Sequence, residues 1–411
     1  MSRRAALWCG FALVHALVIV LGLVDGRAAS WDVDQLYRWW AGTTIRGDAI
    51  PGLTMEWIYP PLALVPIVLA GFLGAAVDYT LAWGLLVTAA DAVAFGILIG
   101  AARSRGRVVA ALFWLAAILA LGGVGMYRLD AITVPVAILG CLWLVGRPWL
   151  ASALLAAATW IKVWPAALLL AAVIAVRRRG AIIGAGAALS AVVVALALSA
   201  GGATHLLGFV GDQTTRGLQL EAPVSSVYVL LALAGSSGAA VYYDPDIVTF
   251  QVTGPNVDVV IALMTPLLVL VAAALAAVGA VKVARGARFV SLFPPLALSL
   301  VLALIAVNKV GSPQYMVWII APFVLALVVD RRAWAAPALL ALVMTAATQV
   351  LFPWAYDALL ALQPAAVALL LGRNLLEVVL FVWIAARLVA VPTAVRVPAG
   401  DPRPATPEGS P

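Results

Sequence analysis

From residue 6 to residue 391 the chain is a succession of apolar runs of membrane length, separated by short clusters of arginine and lysine. About 20 apolar residues cross the hydrocarbon of a bilayer as a helix, and there every backbone N–H and C=O must be satisfied within the protein. A chain patterned this way is expected to fold as an all-α polytopic membrane protein. Composition agrees: 65% of the 411 residues are hydrophobic, 10% are charged, and mean hydropathy is +1.10. The formal charge of +7 is spread over short clusters between runs. That distribution reads as topology signal and argues against a nucleic-acid partner. Cys9 and Cys141 both fall inside apolar runs, and His15 and His205 are the only histidines, which argues against a disulfide framework or a Cys or His metal centre.

Ten full spans are expected, near 6–24, 79–101, 108–126, 131–146, 181–200, 257–280, 289–306, 314–329, 333–351 and 374–391. The first follows Ser2-Arg3-Arg4 and reads as a retained span rather than a cleaved signal peptide. Two segments do not cross. Residues 61–77, after Tyr59-Pro60-Pro61, are short, and Lys162 and Pro165 split residues 150–176 into two arms. Each arm is roughly 18–20 Å long at a rise of about 1.5 Å per residue, too short to cross alone, so this segment is expected to be a re-entrant hairpin. With that count Arg3-Arg4, Arg103 to Arg107, Arg147, Arg177 to Arg179, Lys282 to Arg288 and Arg331-Arg332 all fall on the cytoplasmic side, and so do both termini. The long loops 25–60 and 201–256 then face outward. A single domain covers residues 1–391, and the tail 392–411, with six prolines, is expected to be disordered.

Polar residues interrupt this pattern at a few places. Residues 308–315 read Asn-Lys-Val-Gly-Ser-Pro-Gln-Tyr, a helix-breaking polar stretch between two spans. Asp32 and Asp34 follow the first span, Arg128 and Asp130 the third, Lys162 breaks the hairpin, and Arg216 to Glu221 lie in the largest loop. Charge near hydrocarbon is costly, and the expected topology gathers most of these groups toward the outer face, which suggests an outward-opening cavity for an anionic or hydroxyl-rich ligand. Plainer roles stand beside this one. Asp32 or Asp34 is suited to cap a short helix beginning near Gln35, and Arg128 with Asp130 to form a local ion pair at the membrane interface. Trp39, Trp40, Trp57 and Tyr59 suit either an interfacial aromatic belt or stacking on sugar rings. Asp91, inside the second span, has no readable role.

Seven pieces occur in a fixed order: Asp32-Val-Asp34-Gln-Leu-Tyr37, Glu56-Trp-Ile-Tyr59-Pro60-Pro61, Arg128-Leu-Asp130, Lys162-Val-Trp-Pro165, Arg216-Gly-Leu-Gln-Leu-Glu221, Lys309-Val-Gly-Ser-Pro-Gln-Tyr315 and Arg373-Asn374. Together they resemble glycosyltransferase family 87, membrane enzymes of the GT-C type that include actinobacterial polyprenyl-phosphate-mannose-dependent mannosyltransferases. The resemblance spans roughly residues 1–390. It implies a GT-C fold with re-entrant or short membrane segments, a polyprenyl-phosphate sugar donor, and an outward-facing glycolipid or glycan acceptor at the cell membrane. It also implies inverting transfer with a carboxylate of the first outward loop as general base. Two candidates stand for that base. Asp34 is favoured because it precedes Tyr37 by three residues, which on an α-helix is the same face, and Asp32 stays open. Lys162, Arg216, Lys309 and Arg128 are expected to bind the donor phosphate. Tyr37, Glu56, Tyr59, Asp130, Gln219, Glu221, Gln314 and Tyr315 are expected around the substrates. Mannose is the first-choice sugar, with arabinose, glucose or another pentose open. No cofactor is assigned, and dependence on a divalent cation is open. The competing class is a transporter or flippase of a polyprenyl-linked sugar or lipid, against which the absence of two related halves speaks.

Overall fold

The computed structural model describes residues 2–24, 29–209, 211 and 216–393. Most of the tail 392–411 therefore lies outside the described residues. The architecture is nearly all helical. Eight helices among the described residues are long and apolar enough to cross a membrane: Arg3–Val24, Tyr79–Ile99, Arg105–Gly125, Arg179–Ser199, Val257–Ala284, Phe289–Ala306, Pro313–Trp354 and Pro364–Val389. The chain is a polytopic membrane protein.

In chain order the principal helices are α1 (Arg3–Val24), α2 (Arg38–Arg46), α3 (Leu64–Leu73), α4 (Tyr79–Ile99), α5 (Arg105–Leu121), α6 (Leu129–Trp143), α7 (Pro148–Ile161), α8 (Ala166–Ala175), α9 (Arg179–Ser199), α10 (Ser226–Leu233), α11 (Val257–Ala284), α12 (Phe289–Ala306), α13 (Ile320–Gln349), α14 (Tyr356–Leu360) and α15 (Pro364–Val389). Their ends follow local chemistry. Asp78 caps α4 by accepting from Thr80 N at 2.8 Å, Ser104 caps α5 through Arg107 N, and Pro148 opens α7 where its missing N–H costs nothing. Helix α13 lies along α5, α12 packs on α15, and α6 sits against α4, α7 and α13.

The expected ten spans differ from these eight at two places. Runs 314–329 and 333–351 are the two arms of Pro313–Trp354, separate helices that meet at a kink at Asp330, whose φ of −149° and ψ of 87° are not helical. Its carboxylate accepts from Arg332 N and Ala333 N, both at 3.1 Å, and so caps the second arm. The run 131–146 forms the 15-residue α6, roughly 22 Å long and short of a bilayer. Eleven of those residues are buried, so protein rather than lipid surrounds this helix. The last span also begins earlier than expected, at Pro364. The re-entrant reading of 150–176 agrees with two short helices, α7 and α8, that break at Lys162 and restart after Pro165. Residues 61–77 likewise contain only the short α3 after a 3-10 turn at Pro61–Ala63.

The all-α expectation is corrected in the loop 201–256, which carries an antiparallel hairpin of β1 (Ala240–Asp244) and β2 (Thr249–Thr253), with Ala240 opposite Thr253 and Asp244 opposite Thr249. Residues 218–220 join it through Leu220 N to Phe250 O at 3.0 Å and Val252 N to Leu218 O at 2.9 Å. Leu218, Leu220, Tyr228, Val252, Leu359 and Leu370 form a small apolar core of their own, seating the hairpin on α10, α14 and the start of α15. Deep in the bundle, Asp91 acquires a structural role: its Oδ2 lies 3.0 Å from His15 Nε2, while His15 Nδ1 donates to Phe11 O at 2.9 Å. This joins α4 to α1.

Candidate functional site

The polar stretch 308–315 ends α12 and turns back into α13. Asn308 explains the end: its Nδ2 donates to Leu304 O at 3.1 Å, and its Oδ1 accepts from Val310 N at 3.1 Å. The stretch then runs against residues 219–222, with Gln219 N donating to Lys309 O at 3.0 Å. Only glycine fits there, because a Cβ on Gly311 would stand 2.2 Å from Ala222 N. Thus two motifs about ninety residues apart in sequence form one wall. Pro313 opens a 3-10 turn that lays Tyr315 on Trp318 at 3.9 Å between ring centroids, and Trp318 stacks in turn on Trp164 at 6.2 Å.

A second wall comes from the hairpin break and the start of α6. Lys162 is placed by the turn between α7 and α8, with its Nζ 3.6 Å from Asp130 Oδ2 and 4.4 Å above the Tyr59 ring. Asp130 is fixed from behind by Trp318 Nε1 at 2.6 Å, while Trp164 Nε1 donates to Thr133 Oγ1 at 2.9 Å and Thr133 Oγ1 donates to Asp130 O at 2.6 Å. The lysine thus has a counter-ion and an aromatic face, the two partners a cation near hydrocarbon needs. Arg128 is held by the carbonyls of Ala29 and Tyr127, and its Nε lies 3.3 Å from Asp32 Oδ2.

These walls enclose a cavity of about 680 Å³. Its lining includes Asp32, Tyr59, Arg128, Lys162, Arg216 and Gln219, together with Glu221, Lys309, Gln314 and Tyr315. Four cationic side chains thus line it against two carboxylates among the described residues. The remaining lining is apolar, with Phe209, Val248, Phe250, Leu268, Leu304 and Phe352 among it. A chamber with a cationic part and a greasy part suits a ligand with an anionic headgroup and an apolar tail.

Asp34, the favoured candidate base, stands outside the cavity lining. Its carboxylate pairs with Arg38 Nη2 at 2.7 Å and accepts from Gln35 at 2.6 Å and from Thr80 Oγ1 at 3.4 Å. Arg38 is shared with Asp78 at 2.8 Å, so Asp34 belongs to a surface network. The reason is winding: residues 32–37 form a π turn, with Arg38 N bonded to Val33 O. On such a turn residues five apart, Asp32 and Tyr37, stack one above the other, whereas the three-residue argument assumed α geometry. Tyr37 is itself buried behind the cavity, where its Oη accepts from Leu129 N at 3.3 Å and its ring packs on Trp40, Trp83 and Tyr59. Glu56 is exposed and lies outside the lining. Asp130 supports Lys162 without itself lining the cavity.

Behind Glu221 lies a buried triad. Arg373 Nη2 is 3.1 Å from Glu221 Oε2, and Arg373 Nη1 donates to Glu377 Oε1 at 2.6 Å. Burial pushes the Glu221 carboxyl up to about 7 despite Arg373. Asn374 Nδ2 ties α15 to α10 through Ser226 Oγ at 2.8 Å. Sequence reading missed Trp164, Thr133, Trp318, Tyr356 and Glu377, because their partners are remote or lie in other spans and apolar context alone marks them as core. Among the described residues no three His, Cys, Asp or Glu side chains cluster as a metal-binding group.

Fold and site define a class: a polytopic helical membrane protein with a cation-rich cavity walled by its interhelical breaks. Protein-family models and curated proteins offer no match to this chain.

Proposed function

We propose that this chain is an inverting membrane glycosyltransferase that moves a hexose, mannose first among candidates, from a polyprenyl-phosphate donor to an outward-facing glycolipid or glycan acceptor of the cell envelope. The observation that carries this reading is the juxtaposition of one carboxylate, Asp32, with Arg128, Lys162, Arg216 and Lys309 in a single cavity. Five separate segments supply those residues, each at a break in an apolar pattern. Sites that combine an oriented base with clustered cations suit reactions whose leaving group is an anion.

Asp32 takes the proton of the acceptor hydroxyl as its oxygen attacks the anomeric carbon, on the face opposite the phosphate. The C–O bond to phosphate breaks, its electron pair leaves with the phosphate oxygen, and the lipid phosphate gains a negative charge. Arg128, Lys162, Arg216 and Lys309 stabilise that charge as it develops. Tyr315 and Tyr59 offer faces for the sugar, and the apolar lining takes the beginning of the polyprenyl tail. The cavity faces the outer side of the cell membrane and both termini are cytoplasmic, in keeping with the arginine clusters.

The test uses protein reconstituted in liposomes with polyprenyl-phosphate-mannose carrying radiolabelled sugar and extracted envelope glycolipids. Label should pass to a glycolipid and the donor should stay in its leaflet. Movement of intact donor between leaflets without transfer would replace this reading with a flippase.

A further inference from the structure

The Glu221 triad has a charge problem that the transfer mechanism does not use. Two carboxylates, Glu221 and Glu377, share one guanidinium, Arg373, and the side chains are at most 4% exposed. Glu377 Oε2 and Arg373 Nε have no hydrogen-bond partner among the described residues. A buried cluster with surplus negative charge is relieved most simply by binding one proton. Glu221 is the member that lines the cavity. Its backbone is clamped on both sides, by Gly311 packed against the Glu221–Ala222 peptide and by Arg373 Nη2 at 3.3 Å from Glu221 O. Glu221 is therefore a fixed residue in the wall of the chamber that the proposed donor occupies, with its carboxyl held by Arg373.

We propose that Glu221 is a specificity-determining residue that meets the donor in its protonated form, giving a hydrogen bond to a phosphodiester oxygen or a sugar hydroxyl, while Arg373 and Glu377 position it. This rests on the reading of the cavity as a site for a lipid phosphate. Deprotonation turns a donor of a hydrogen bond into a negative charge facing an anion, so affinity falls as pH rises through the titration of Glu221. Burial holds that titration near neutrality, at about 7. The groups that face it are Arg373 and Glu377 from α15, Tyr356 from α14, Arg128 from the turn before α6, and Lys309, whose segment packs on residues 219–222. β2, which also packs there, brings no titratable side chain. Guanidinium and phenol groups titrate above the window from pH 6 to 8, burial lowers the Lys309 ammonium from well above it, and the shift of the midpoint in Glu377→Gln ties the profile to the carboxyl pair.

The experiment measures the Kd of the full-length protein in nanodiscs for polyprenyl-phosphate-mannose between pH 5.5 and 8.5. This probe is a phosphodiester, so its own charge is constant over the range. Wild type should bind about tenfold more weakly at pH 8.5 than at pH 5.5, the change that follows when binding raises a group's proton affinity by about one pH unit. Glu221→Gln keeps a donor without the charge and should bind tightly at every pH. In Glu377→Gln the competing carboxylate is gone, Arg373 serves Glu221 alone, and the midpoint should move to lower pH. This second variant decides the matter if Glu221→Gln does not fold. A wild-type profile that persists in Glu221→Gln, or a midpoint unmoved in Glu377→Gln, overturns the proposal while leaving the donor site standing. Absence of donor binding by wild type at every pH overturns the donor site and this proposal together.

Discussion

At the scale of single residues the account turns on which side chains face the chamber. Asp32 and Asp34 are two positions apart in sequence, yet one contacts Arg128 in the cavity and the other is committed to Arg38 outside it. The sequence supplied both as candidates and ranked them by α-helical phase, which the π turn at 32–37 invalidates. Lys162 was legible because an ammonium in an apolar run demands a partner. That partner, Asp130, was visible as a residue and not as a partner, and its anchor Trp318 lies 188 residues away in sequence. The pairing gives a direct prediction. Asp130→Asn retains an acceptor for Trp318 Nε1 and removes only the charge beside Lys162, so stability should fall by about 3 kcal/mol, as when one member of a buried pair is deleted. Thermal unfolding in detergent measures the loss, and transfer should drop with it. Adding Lys162→Met should recover part of the stability and none of the transfer, because the uncompensated charge is gone along with a cation of the proposed phosphate site.

At the scale of elements, the site is made from breaks. The turn between α7 and α8, the start of α6, the 308–315 stretch and the 216–222 segment interrupt or leave the regular helices, and each places a polar group that a continuous helix would turn toward lipid or bury. Polar residues and prolines inside apolar runs made most of these breaks readable. The β1–β2 hairpin was not read, although Tyr242, Tyr243, Phe250 and Val252 are residues that favour strands, because a long outward loop gives no pattern of spans to measure it against. α6 is shorter than the run it was read from, and its apolar sequence does not reveal that protein surrounds it. Two of these elements meet backbone to backbone at Gly311 and Ala222. Gly311→Ala forces backbone apart from backbone, with an expected cost of about 1–3 kcal/mol in stability. It also shifts Lys309, so transfer activity in membranes should fall at least about tenfold, a rate effect equivalent to roughly 1.4 kcal/mol. Normal transfer by this variant would mean that the two segments separate during turnover.

At the scale of the whole molecule, the proposed orientation predicts which residues water reaches from each side of the membrane. The apolar exteriors of α9 and α11 belong in lipid, where only 17% and 11% of their most apolar stretches are covered by protein. The β1–β2 hairpin is part of the cavity lining, and the proposed orientation puts both on the outer side. In a protein whose exposed Cys9 is replaced by alanine, Val248→Cys in the hairpin should react with a membrane-impermeant thiol reagent on intact cells, and Arg178→Cys before α9 only after permeabilisation. The reverse pattern would turn the cavity toward the cytoplasm and remove an envelope acceptor from reach. The central claim, that Asp32 is the base of a sugar transfer, is tested most directly by single-turnover transfer of radiolabelled mannose from polyprenyl-phosphate-mannose in membranes carrying wild type, Asp32→Asn or Asp34→Asn. Asp32→Asn should keep donor binding and lose transfer by about 10²–10⁴-fold, the usual contribution of a general base, while Asp34→Asn stays within about tenfold of wild type. Full transfer by Asp32→Asn, or its loss in Asp34→Asn alone, would contradict the account.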